Sequence, residues 1–388
     1  MSKIDGGALV GKALANEGVE KAFVLCGGHI MPIFYGMRNA GIEIIDMRHE
    51  GAAVYAAIAY TRASGKAAVV VTTAGPGVGN TPAGMMEAES LGIPLLQIGG
   101  AVTMEKRDAG DLQDMDTLRV MKTCSKWAKR LTYTHRVPEY VSMAFRQAMD
   151  QIPGPVYLEI PTNLLWVEVD EEEIFFPVNY RTDAISFGDP VLIDSASELL
   201  ANAERPAAVI DDGARFNVGE YAGAIAELSD YLKMPLGVSG NSCRGLFGDE
   251  TENPLLRMNE TGKADVVLAM GCRFDFRLGS GRGIPKDTKV IQVHTDSRQI
   301  GFNLRADIGI VGGAGPVASQ LLAAVKSKRD KPADTPWTGP IKSNWPADLP
   351  GAYHSEGIPI HPARCAGEVA KFLAEEGRDW NVITDGGE

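Results

Sequence analysis

The run Ala67-Ala68-Val69-Val70-Val71-Thr72-Thr73 carries no charge and is nearly all apolar and β-branched. A strand of that kind has both faces covered, as in the interior of a parallel sheet. It opens directly into Ala74-Gly75-Pro76-Gly77-Val78-Gly79-Asn80 and then a helix through Glu89. The pattern recurs. Ala22–Leu25 ends at Cys26-Gly27-Gly28-His29, Ile42–Met47 leads to a helix of small residues from Ala52, and Pro94–Ile98 ends at Gly99-Gly100. A first helix at Gly7–Glu17, a helix around Tyr140–Gln151 and a strand at Pro155–Pro161 complete the set. This alternation predicts a doubly wound parallel α/β domain, in which loops at the carboxyl ends of strands collect the chemistry.

A second α/β domain follows, with strands at Ala207–Ile210, Leu236–Val238, Asp265–Met270, Val290–Val293 and Ile308–Val311 and a closing helix at Val317–Lys328. The expected divisions are a first domain at 1–170, a linker at 171–190, a middle domain at 191–330, a proline-rich linker at 331–357 and a third unit at 358–388. That unit reads as an amphipathic helix, His361–Glu376, a strand, Asn381–Thr384, and the first half of a loop. One helix with one strand is too little for a domain. The expectation is a fragment of a longer protein, or a strand completed from elsewhere.

The net charge of −12 and pI of about 5.1 argue against nucleic acid or an anionic membrane as partner. Five cysteines without a C-x-x-C pair give no disulfide framework or zinc knuckle. The polar N-terminus is unlike a signal peptide, and no apolar run approaches the ~18 residues of a membrane span. The reading is a cytoplasmic protein acting on a small molecule.

Candidate residues gather at the strand ends. Glu50 stands where a strand ends and a helix begins, where the helix dipole favours a carboxylate. Its neighbours Ala52, Ala53, Val54 and Tyr55 promise burial, and a buried carboxylate needs a partner. His49 is either that partner or a solvated neighbour. His29 follows Gly28 in a strand-end loop, better placed than most histidines to meet a ligand. Gln113 lies in the polar loop Asp108–Asp114, which also reads as a plain surface loop. The Gly75–Asn80 loop fails the dinucleotide spacing, and glycine there suits either close backbone approach to a flat ligand or a tight turn. In the second domain Arg273, Arg277 and Arg282 lie near a strand end, as phosphate ligands or as a solvated basic loop. No metal-ligand spacing stands out.

At Arg48-His49-Glu50, with Thr73-Ala74-Gly75-Pro76-Gly77 downstream and Gly154–Pro161 closing the domain, the chain resembles the thiamine-diphosphate-dependent decarboxylase and carboligase superfamily. The resemblance covers essentially all 388 residues. Gly28-His29, Gln113, Lys126-Trp127-Ala128 and Gly271–Pro285 resemble the benzaldehyde lyase and 2-hydroxyacyl-CoA lyase branch most closely. The resemblance implies a pyrimidine-binding domain, a middle domain and the start of a diphosphate-binding domain. It gives Glu50 a hydrogen bond to N1′ of the aminopyrimidine, shifting that ring to the imino form that deprotonates the thiazolium. A carboxyl group suits the task because burial can bring such a group toward neutrality. His29 and Gln113 would bond the substrate oxygen and relay protons, Gly28 would line the substrate, and Thr73, Pro76 and Asn80 would line the ring. Gly386 and Gly387 would open the diphosphate loop, with Mg²⁺ ligands beyond residue 388.

Two departures matter. Ala74-Gly75-Pro76-Gly77 is closer to the synthases of the superfamily, and His294, with Asp296 two residues on, stands where FAD-binding members place an acid. The middle domain thus leaves room for ADP, FAD or CoA near Arg273, Arg277, Arg282 and Asp296. The expected activity is C–C cleavage or ligation of 2-hydroxy ketones or 2-hydroxyacyl-CoA thioesters. Alternatives are acetolactate-synthase-like ligation of 2-oxo acids and a non-catalytic nucleotide-binding subunit. The family's architecture implies a homodimer or homotetramer with the active site at the subunit interface. A Glu50 carboxyl bathed in water, or pinned by an arginine, would end this reading.

Overall fold

The computed structural model describes residues 2–239, 243, 245–247, 252–253, 262–337, 349–380 and 382. It divides into two compact units, Met1–Trp337 and Thr338–Glu388. The first unit opens with strand Lys3–Asp5 (β1) and helix Gly6–Asn16 (α1), whose Asp5 cap accepts from the Ala8 amide at 2.7 Å. There follow Lys21–Leu25 (β2), Met31–Asn39 (α2), Glu43–Asp46 (β3), Glu50–Ser64 (α3) and Ala68–Thr72 (β4). Next come Pro76–Gly79 (α4), Pro82–Leu91 (α5), Leu95–Ala101 (β5), Thr117–Met121 (α6) and Trp127–Arg130 (β6). Val137–Ala148 (α7), Pro155–Pro161 (β7), Thr162–Trp166 (α8) and Glu168–Asp170 (β8) complete this part.

The first sheet has the order β3-β2-β4-β5-β7-β6, every pair parallel. Strands β4, β5 and β7 are buried along their whole length. One core joins Val69, Val71, Leu96 and Ile98 of the sheet to Leu9, Ile33 and Val141 of α1, α2 and α7. Another joins Ala68, Val70 and Leu95 to Ala53, Ala57 and Met85 of α3 and α5. Each of the valine, leucine, isoleucine and methionine side chains among them contributes roughly 1.5–3 kcal/mol by leaving water. Two-sided burial is what the uncharged, β-branched runs require, and it aligns the carboxyl ends of β2, β4 and β5 on one rim.

After Pro190–Asn202 (α9) comes the second sheet: Pro206–Ile210 (β9), Leu236–Val238 (β10), Glu252–Asn253 (β11), Val266–Met270 (β12), Lys289–His294 (β13) and Ile308–Val311 (β14). Its order is β11-β10-β9-β12-β13-β14, again parallel, with Ala222–Tyr231 (α10) following β9 and Ala314–Lys328 (α11) closing it. The α/β class with parallel sheets is therefore as the alternation predicts.

Local details differ. The helix expected through Glu89 is two helices, α4 and α5, because Pro82 lacks an amide to continue the first and starts the second at its N-terminus. Strand β6, with Lys129 and Arg130 at its end, lies on the sheet edge, where polar residues are tolerated and apolar patterning is weak. The β1–β8 pair, antiparallel and three residues long on each side, is too short to leave a periodic signature. In the segment 171–190, Tyr180 and Arg181 both bond the Glu17 carboxylate, tying the linker to the end of α1. The second unit holds helices Leu349–Ala352 (α12) and Pro362–Glu376 (α13). The expected strand Asn381–Thr384 lies, save Val382, outside the described residues, as do Gly386 and Gly387.

Candidate functional site

Glu50 is the first residue of α3 and only 7% exposed. The preceding His49 caps the helix, its Nδ1 accepting from the Gly51 amide at 3.0 Å, so this imidazole is occupied with the backbone rather than with Glu50. Arg48 turns outward to Asp46 at 2.6 Å, both side chains exposed. The Glu50 carboxylate thus sits at the positive end of α3 without an ion pair among the described residues. Asn80 supplies its bond: the side-chain amide donates to Oε2 at 2.9 Å. Oε1 has no hydrogen-bond partner among the described residues. A Cβ built on Gly77 would stand 3.4 Å from that oxygen and 2.7 Å from Thr73 Cγ2, so glycine keeps the approach to Oε1 clear.

Thr73 joins this acid to the remaining candidates. Its Oγ1 lies 3.5 Å from His29 Nδ1 and 3.5 Å from Gln113 Oε1, the outer limit of hydrogen bonding. His29 follows β2 in a single 3₁₀ turn, and Gly28 beside it faces open space, where an added Cβ would meet nothing within 4 Å. Gln113 adopts φ of +64°, a left-handed conformation that for a residue with a side chain costs of order 1–3 kcal/mol and is concentrated at functional sites. Its carbonyl oxygen would stand 2.8 Å from a Cβ on Gly75, itself at φ of +58°. A strained Gln113 backbone and a glycine that takes positive φ without strain therefore meet where β4 ends. Pro76 begins α4 beside them, exposed.

Anchoring of the Gln113 loop was not foreseen from sequence. Arg107 and Thr117, on either side of Gln113, both reach Glu159 of β7, at 3.9 Å and 2.9 Å. Glu159 is fully buried and also bonded by Arg130 of β6. The available signal was an acid within Val156–Ile160, where every neighbour is apolar. Equally unforeseen was Asn80 as the partner of Glu50.

The basic candidates of the middle domain separate. A cleft of about 390 Å³ lies between the carboxyl ends of β9, β12 and β13 and the lower edge of the first sheet. Arg273 and Asp296 line it, with Arg298, His294, Lys126 and Glu89; Arg277 and Arg282 are not among its lining residues. Arg277 is instead bound to Asp212 at 2.6 Å and Asp275 at 2.7 Å, and Arg282 reaches the Gly279 carbonyl at 3.3 Å. Asp296 holds Arg298 at 2.9 Å, an ion pair that keeps its carboxyl down at about 2 despite burial. His294 is pushed down to about 4 by burial and donates nothing through Nδ1, which accepts from the Asp296 amide at 2.9 Å.

Among the described residues no helix is long and apolar enough to cross a membrane, and no group of His, Cys, Asp or Glu side chains is arranged to hold a metal ion.

Two family models match, "Thiamine pyrophosphate enzyme, N-terminal TPP binding domain" at residues 4–120 and "Thiamine pyrophosphate enzyme, central domain" at residues 193–321. A probable acetolactate synthase large subunit of Methanocaldococcus jannaschii is 30% identical over 389 residues, covering 95% of this chain and 64% of the relative. A 2-hydroxyacyl-CoA lyase 2 of Danio rerio is 31% identical over 425 residues, covering 99% and 67%. A 2-hydroxyacyl-CoA lyase of Arabidopsis thaliana is 30% identical over 336 residues, covering 83% and 57%. The chain spans about two thirds or less of the length of these relatives. With β2 to β5 of the first sheet and all of the second inside the matched residues, and the buried Glu50 in place, the chain belongs to the thiamine pyrophosphate enzymes and carries their N-terminal and central domains.

Proposed function

We propose that this chain supplies the pyrimidine-activating half of a C–C lyase or carboligase acting on 2-hydroxyacyl-CoA thioesters or 2-hydroxy ketones. The observation that carries the proposal is the Glu50 carboxylate: buried, held through one oxygen by Asn80, and open through the other across Gly77. That donor set fits a flat aminopyrimidine bearing a ring nitrogen. Thiamine diphosphate, when bound, supplies the electron sink for the bond being broken. Glu50 holds a proton at the ring nitrogen, Thr73 and Pro76 flank the ring, and Asn80 fixes the carboxylate. His29 and Gln113 meet the substrate oxygen, His29 moving its proton and Gln113 holding it by a hydrogen bond, and Gly28 leaves space for the acyl group. Mg²⁺, with ligands expected beyond residue 388, and a second subunit completing the site belong to the same reading.

Substrate class follows the lyase-named relatives and His29. The synthase reading, ligation of two 2-oxo acids, is favoured instead by the Ala74–Gly77 loop and the archaeal relative. In the cleft of the middle domain, Arg273 offers positive charge to the phosphates of ADP, FAD or CoA, while Arg298 and Lys126 line the same cleft but are already paired with Asp296 and Asp150. Arg277 is spent on its carboxylates, and Arg282 lies off the cleft.

The test is turnover by the full-length protein on a 2-hydroxyacyl-CoA ester, a benzoin-type ketone and pyruvate, with and without Glu50→Gln. Cleavage of the thioester or ketone, falling about 10²-fold or more in the variant, is the expected result. Ligation of pyruvate alone would select the synthase reading. No cofactor-dependent turnover with Glu50 intact would leave a nucleotide-binding subunit.

A further inference from the structure

Strand β5 is buried throughout, and among its side chains Gln97 alone is polar. An unbonded amide in such a position costs about 1–3 kcal/mol, so its partners are informative. Its Nε2 lies 3.3 Å from Thr72 Oγ1, and its Oε1 lies 3.0 Å from Thr81 Oγ1. All three residues are fully buried. The Thr81 hydroxyl also reaches the Val78 carbonyl at 2.7 Å, closing the turn between α4 and α5. The Thr81 hydroxyl has one hydrogen. It serves Gln97 Oε1 in the orientation given, or the Val78 carbonyl when the amide is turned so that Nε2 donates to Thr81 and Oε1 accepts from Thr72. The bridge between the two threonines holds either way.

What the two threonines adjoin gives the bridge its meaning. Thr72 immediately precedes Thr73, the common neighbour of His29 and Gln113. Thr81 immediately follows Asn80, the partner of Glu50. One buried amide therefore connects the segment that meets the substrate oxygen to the segment that fixes the acid.

We propose that Gln97 is a positioning residue that sets the separation between the Asn80–Glu50 pair and the Thr73–His29–Gln113 group. This rests on the reading of Glu50 given above. Gln97 touches neither substrate nor cofactor; it acts through Thr72 and Thr81. Small displacements of reacting groups are costly, with ~1 Å worth about 10²-fold in rate.

The experiment uses the full-length protein with Gln97→Met, which preserves volume and removes the bridge. Thr81→Val, which removes one hydroxyl, and Thr81→Ser, which retains it, accompany it. Thiamine diphosphate affinity is measured by calorimetry with Mg²⁺ present, the tautomer of the bound aminopyrimidine by near-ultraviolet circular dichroism, and kcat and KM separately. The expected result is a kcat lower by about ten- to a hundredfold with KM changed less than about threefold. An altered tautomer signal in Gln97→Met and Thr81→Val, and recovery in Thr81→Ser, are expected alongside. The double variant Gln97→Met/Thr81→Val should lose no more than either single one. Wild-type kcat, affinity and dichroism in both Gln97→Met and Thr81→Val would overturn the proposal, whatever their melting temperatures. Should Gln97→Met fail to fold, the Thr81 pair decides on the same readouts. Glu50→Gln is run beside them. If it remains active, the reading of the site falls; if it is inactive while Gln97→Met is wild type, only the bridge falls.

Discussion

Asn80 donates to one oxygen of the Glu50 carboxylate at 2.9 Å and leaves the other oxygen facing Gly77. The acid is thus oriented without being neutralised. An arginine in place of Asn80 would hold the proton away from any ring nitrogen, whereas a neutral amide fixes direction and leaves the carboxylate free to share a proton. Asn80→Ala should weaken thiamine diphosphate binding and lower kcat, with stability reduced by about 1–3 kcal/mol because a buried carboxylate loses its bond. Calorimetric affinity and urea denaturation of the full-length protein check this. Unchanged affinity would mean that Glu50 is oriented by something else.

Gly77 gives a sharper prediction. It does not lie in the left-handed region, so Ala is not excluded by backbone strain. The added methyl instead meets Thr73 Cγ2 at 2.7 Å and approaches Glu50 Oε1 at 3.4 Å. Gly77→Ala should fold, with a loss of stability of about 1–3 kcal/mol from the displaced Thr73, and lose cofactor affinity by tenfold or more. The measurement is a calorimetric titration beside a melting curve. Full affinity in the Ala variant would show that the ring does not use this approach.

Glu159 tests how the Gln113 loop is held. Its carboxylate is buried against Arg130, with Thr117 at 2.9 Å, and removing one partner of a buried ion pair leaves the other charge unpaired. Glu159→Ala should cost about 3–5 kcal/mol. The exposed Lys21–Glu43 pair gives the contrast, and Glu43→Ala should leave the denaturation midpoint nearly unmoved. Equal effects of the two substitutions would contradict the assignment.

Legibility followed burial. Strands such as β4 and β12, covered on both faces, announce themselves in uncharged β-branched runs, and the glycines after them mark the rim where His29, Glu50 and Thr73 meet. Pairings between distant segments leave no such trace. Nothing in the order of residues joins Asn80 to Glu50, or Gln97 to Thr81, since those contacts arise from how α4 and α5 fold back over the sheet. The arginines of the middle domain show the opposite difficulty. Arg273, Arg277 and Arg282 look alike in sequence, and only the positions of Asp212 and Asp275 decide that Arg277 is consumed inside the fold.

At the carboxyl edge of the middle sheet, two buried groups oppose each other in their response to pH. Burial pushes Asp211 up from 3.8 to about 6, with Asp212 and Asp275 adding to the rise and Arg277 opposing it. An acid raised in this way contributes stability that is full below pH 3.8 and is lost as the pH rises to about 6. Burial lowers His294 from 6.5 to about 4, with Arg273 adding to the fall and Asp296 opposing it. A neutral buried histidine contributes stability that is full above pH 6.5 and is lost as the pH falls to about 4. Between about pH 4 and 6 the two slopes, each about 1.4 kcal/mol per pH unit, run in opposite directions and largely cancel. His294→Gln removes one of them. The stability difference between the wild type and this variant should therefore widen in favour of the wild type by about 1.4 kcal/mol per pH unit across this range, and level off above pH 6.5. Urea denaturation of both proteins at half-unit steps measures the difference directly. A gap that stays constant from pH 4 to 6.5 would mean that His294 keeps the same proton occupancy folded and unfolded, and that burial at this strand end does not discharge it.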